Sequence, residues 1–152
     1  MSMTPNISAV LETFFFDAEA GKSAATRARY VRTQAALARY IETVDVADCF
    51  GDDVAQLVAA EREFDSSGAF LRIMTAEELV VLLPGFVEDE RLPACRADAR
   101  TQVSMTDRLV AFLIRFRLID GSRFSRAVLD TQVACATARD RLRRHTEPRL
   151  FG

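Results

Sequence analysis

Residues 21–45 read GKSAATRARYVRTQAALARYIETVD, and the spacing of their apolar positions decides the fold. Tyr30, Leu37, Ile41 and Val44 recur at helical spacing, with Val31, Ala35 and Ala38 widening the stripe. Arg27, Arg29, Arg32 and Arg39 fall mostly outside it, and Ser23 or Thr26 is placed to cap the first turn. The stretch is therefore a helix with an apolar face to bury and basic positions to show.

The same period runs outward in both directions. Upstream, Val10, Leu11, Phe14 and Phe15 predict a helix over 8–19, stopped by Gly21. Downstream, Asp52 or Asp53 opens a helix through VAQLVAAEREF that the DSSG segment breaks, and an apolar cluster of Phe70, Leu71, Ile73 and Met74 follows. Thr75 and Glu78 form a capping-box pattern at the head of TAEELVVLLPGF, with Pro84-Gly85 kinking or ending that helix, and EDERLP reads as a loop. A long helix is expected over 97–118 on the stripe Val103, Leu109, Val110, Leu113 and Phe116. Asp120-Gly121-Ser122 is a turn before a last helix over 125–144, with Phe124, Val128, Cys135 and Leu142 inward. The expectation is an all-α bundle of about six helices.

Composition agrees. At 152 residues and 49% hydrophobic the chain suits one domain spanning 1–152, with 145–152 as a short tail. Glycine and proline are scarce, at 6 and 4, and no polar–apolar alternation runs for a strand's length. No apolar run approaches the ~18 residues that span a bilayer, and MSMTPNISAVLE has no basic leader pattern, so a cytoplasmic protein without a membrane partner is expected. Cys49, Cys95 and Cys135 are odd in number and never in a C-x-x-C pair, which reads as three free thiols with Cys135 in the core. Asp52, Asp53, Glu61, Glu63 and Asp65 lack calcium-loop spacing and read as solvated helix faces. No metal or other cofactor is expected.

Charge is unevenly spread behind a net −2. Residues 51–100 hold five arginines against eleven carboxylates, a net of −6, whereas 101–152 hold ten against five, a net of +5. Such polarity permits an anionic partner at one end.

Two pieces carry a resemblance. Ser23, Thr26 and Tyr30 meet an S-x-x-T-x-x-x-Y spacing, continued by Leu37 and Tyr40. MTAEELVVLLPGF, followed by SMTDRLVAFLIRFRLIDGS, gives a Thr-capped helix and a later helix ending in an Arg-Leu-Ile-Asp-Gly turn. Together they resemble the N-terminal core-binding domain of tyrosine recombinases and phage integrases, a SAM-like orthogonal helical bundle, over about two-thirds of the chain. The resemblance implies that the Ser/Thr/Tyr helix and the later long helix lie along DNA. Residues 46–73 depart from it as an insertion.

Catalysis is not expected. Recombinases of that family use a separate domain with a nucleophilic tyrosine and phosphate-holding arginines, and this chain ends before one. Tyr30 and Tyr40 lie in the binding-type helix, and His145 reads as a surface residue of the tail. No phosphate loop, nucleophile elbow or zinc-protease helix is present. Three functions remain in order of preference. The first is a DNA-binding accessory module, with Arg27, Arg29, Arg32, Arg108, Arg115 and Arg117 at phosphates and Thr26 donating a hydrogen bond. The second is an interaction or self-association module using exposed Phe64, Phe70 and Leu71 of the insertion. The third, least favoured, is an enzyme with a pocket between helices.

Overall fold

The computed structural model describes residues 4–144; the 145–152 tail, with His145, lies outside the described residues. The helices are α1 (Ile7–Glu19), α2 (Ala24–Thr43), α3 (Val46–Phe50), α4 (Asp52–Phe64), α5 (Ala69–Ile73), α6 (Ala76–Phe86), α7 (Arg96–Arg115) and α8 (Ser125–Arg144). Asp89–Arg91 form a 3-10 turn, inside the segment expected as a loop. The described chain is all-helical, with one isolated antiparallel bridge between Asn6 and Thr75. None of its helices is long and apolar enough to cross a membrane.

Local chemistry sets the boundaries. Ser23, rather than Thr26, caps α2: its Oγ accepts the Thr26 N–H at 3.2 Å. Asn6 caps α1 through the Ala9 N–H at 2.8 Å, and its amide donates to the Arg72 carbonyl at 2.9 Å, tying the two segments together. At α6, Glu78 accepts from the Thr75 N–H at 3.0 Å and hydroxyl at 2.8 Å, the return arm of a capping box. Pro84 does not end α6. It lies in the last turn, where its missing N–H forfeits a single ladder bond, and the helix continues to Phe86.

The principal core joins α1, α2, α5, α6 and α7 through side chains such as Ile7, Leu37, Ile41, Phe70, Leu79 and Leu113. A smaller cluster of Val87, Val103, Cys135 and Ala138 seats α8 on α7. There burial pushes the Cys135 thiol up to about 11, with Asp107 adding to the effect, whereas Cys49 and Cys95 are exposed. Helix α7 therefore has α2 on one flank and α8 on the other.

Several expectations need correcting. Residues 46–73 contain two further short helices, α3 and α5, and α5 fills the space between α1 and α2. Phe70 is consequently fully buried, its ring 5.7 Å from that of Phe50, and Leu71 is half-buried against the core. Neither forms part of an exposed surface; only Phe64, at 89% exposure, does. Arg72 holds this segment together by donating to Glu61 at 2.8 Å, to the Asp65 carbonyl at 2.7 Å and to the Ser67 carbonyl. Val31 and Ala35 are exposed, because the buried stripe of α2 is completed by Thr33 instead.

The long helix ends at Arg115, short of Leu118, and Phe116 is 54% exposed rather than inward. The cause is a left-handed residue, Arg117, at φ 53. Its N–H bonds the Ile114 carbonyl at 3.1 Å and the Leu118 N–H bonds the Leu113 carbonyl at 2.9 Å, a Schellman closure that turns Leu118 and Ile119 inward.

Candidate nucleic-acid interface

The three longest helices are also the basic ones. α2, α7 and α8 carry thirteen arginines against five carboxylates, a net of +8, while all other described residues carry six basic against sixteen acidic groups, a net of −10. Since α7 lies between α2 and α8, tertiary packing collects the positive charge into one layer. Every carboxylate in that layer has an arginine partner: Asp98 with Arg32 and Asp107 with Arg139, both at 2.8 Å, Asp130 with Arg126 at 3.3 Å, Asp140 with Arg144 at 2.9 Å, and Glu42 with Arg62 of α4 at 3.9 Å. Arg27, Arg39, Arg100, Arg115 and Arg141 face no carboxylate within ion-pair distance, so the excess charge is uncompensated.

Along α7 the outward stripe is Arg100, Ser104, Arg108, Ala111 and Arg115, all exposed and spaced to share one face. A groove runs on each side of it. The α2/α7 groove, of about 510 Å³, is lined by Arg32, Arg39 and Arg91 together with Asp98 and the buried Gln102. Its floor is firmly built: Gln102 Nε2 donates to the Phe86 and Arg91 carbonyls at 2.9 and 3.2 Å. Arg91 lies 4.7 Å above the Tyr40 ring, which stacks on Phe86 and donates its hydroxyl to the Leu82 carbonyl at 2.8 Å. The α7/α8 groove, of about 380 Å³, is lined by Arg100, Arg139 and Arg143 with Val103, Ser104 and Leu142.

The anticipated residues are only partly brought together. Arg108 bridges to α2, its guanidinium 3.3 Å from the Tyr30 hydroxyl, and Arg115 continues the α7 stripe. Arg32 is engaged by both oxygens of Asp98, at 2.8 and 3.2 Å. That bond raises the arginine and holds the Asp98 carboxyl below its usual range. Thr26 lies at the head of α2, where its Oγ1 accepts from Arg29 at 3.3 Å and from the Ser23 hydroxyl at 3.1 Å. Arg27 sits two residues from Arg29, roughly 200° around the helix, and leaves the face shared with α7. Arg117 lies elsewhere, in a groove with Glu77 and Asp120.

Arg39, Arg91, Arg100, Arg139 and Arg143 join the face without having been singled out. Arg100 was readable, since it keeps helical register with Arg108 and Arg115; Arg91 and the α8 arginines arrive only through packing. Among the described residues no group of three or more His, Cys, Asp or Glu side chains is placed to hold a metal ion. Comparison with protein-family models, curated proteins and solved structures finds no match.

Proposed function

We propose that the chain is a non-catalytic helical module whose α2–α7–α8 layer binds the phosphate backbone of duplex DNA, in keeping with its resemblance to the integrase core-binding domain. The observation that carries this reading is the pair of arginine-lined grooves flanking the basic stripe of α7. Guanidinium groups in grooves recognise phosphate oxygens through paired N–H donors, and uncompensated charge on a layer attracts a polyanion. An overall pI near 5.5 does not oppose the reading, because most of the acidic residues reside in the other elements.

The test is fluorescence anisotropy on a mixed-sequence duplex across salt concentrations. Affinity should fall with a log–log slope of roughly −0.9 per phosphate neutralised, or about −4.5 if some five contacts form. Lack of binding at low salt would remove the proposal.

A further inference from the structure

Helix α4 presents two exposed apolar side chains set among acids. Leu57 and Phe64 are 60% and 89% exposed and seven residues apart, placing them about 10 Å apart along one face. Asp53 and Glu63 border that ridge and pair with no arginine. An apolar ring as exposed as Phe64, with Leu57 beside it, is more than an isolated surface residue.

An apolar groove with a basic rim lies between α1 and the end of α7. Two adjoining pockets of about 350 and 260 Å³ share Asp17, Phe112 and Phe116. The Phe112 and Phe116 rings are 4.7 Å apart, and Phe14 meets Phe112 edge-on at 5.4 Å, which gives the groove an aromatic floor. Arg108 and Arg115 stand at its rim with no carboxylate partner; Asp17 is the single acid lining it.

We propose that the α4 ridge of one copy docks into the α1/α7 groove of a second copy. Phe64 would enter the aromatic floor while Asp53 and Glu63 meet the rim arginines. The charges select this pairing over the symmetric ones: ridge against ridge sets Asp53 and Glu63 against their own copies, and groove against groove opposes arginines. Because the two patches differ, the contact is heterologous, and each added copy leaves one ridge and one groove open.

Sedimentation velocity without nucleic acid tests this independently of the DNA reading. Wild type should gain mass with concentration and lose it with added salt. Phe64→Asp and Arg115→Glu should each weaken association by roughly tenfold or more, and an equimolar mixture of the two variants should form a one-to-one dimer, each supplying the patch the other lacks. Glu63→Arg should weaken wild type and recover when combined with Arg115→Glu. All three positions are exposed, so the fold is retained, with far-UV circular dichroism as the control. A wild type that stays monomeric, single variants that associate normally, or a mixture that remains monomeric would each overturn the proposal.

Discussion

The basic layer and the acidic remainder of this molecule are held together by different means. In α2, α7 and α8 the carboxylates are outnumbered and each is neutralised by an arginine, so the charge left over is positive and outward. In the 46–73 segment the logic is reversed, with one of its two half-buried arginines, Arg72, gathering Glu61, Asp65 and two backbone carbonyls among surplus acids. Ion pairs at the surface contribute only about 0–1 kcal/mol each, so the layer is stable through its helices and core, and its charge is free to serve recognition. The acidic segment uses its arginine to close a turn. Overall net charge therefore conceals the property that matters, which is where each sign is collected.

Reversing charge within the layer should break this contrast most severely. Arg39→Glu with Arg100→Glu places acid in both α7 grooves and should lower duplex affinity by about 30- to 100-fold, whereas Arg27→Glu, off the shared face, should cost far less by the same anisotropy measurement. The seam between the regions is next. A Cβ at Gly85 would collide with the Tyr40 hydroxyl, so Gly85→Ala should destabilise by about 1–3 kcal/mol in urea unfolding and loosen the Arg91 wall of the α2/α7 groove. Arg72→Ala should cost about 1–2 kcal/mol, seen as faster hydrogen exchange confined to residues 61–74 with α7 and α8 unaffected.

Two smaller changes sharpen the basic side. Asp98→Asn frees Arg32 for phosphate and should raise duplex affinity about two- to fivefold with a steeper salt slope. Because folding lowers the Asp98 pKa, its stabilising contribution is full above the unfolded carboxylate value of about 3.9 and is lost as pH falls through the folded value; the Asn variant should lack that acid-side loss in pH-dependent unfolding. Arg117→Gly relieves a left-handed arginine and should stabilise by about 0.5 kcal/mol in the same assay, leaving DNA affinity unchanged because Arg117 lies outside the layer.

Much of the fold was legible residue by residue. The stripe of α1, the capping box at Thr75, a cap at Ser23 or Thr26 and the span of α8 follow from periodicity and turn chemistry, which act over a few neighbouring residues. Phe70 and Phe116 were misplaced for opposite reasons. Phe70 belongs to a helix of five residues, too short for a period to emerge, and is buried by distant α1 and α2. Phe116 keeps the period of α7 but falls beyond its end, where Arg117 adopts a conformation that an arginine does not advertise.

The sequence by itself determined an all-helical chain, its principal helices and the presence of arginines off their apolar faces, because hydrophobic period, capping and helix propensity are properties of contiguous residues. Only the tertiary structure decided which arginines face one another across a groove, which are spent on Asp98 or Asp107, and which phenylalanines meet solvent. The arginine outcomes depend on how α2 and α8 settle against α7, and the burial of Phe70 on how α5 settles against α1 and α2. That packing is set by contacts between residues tens of positions apart in the chain.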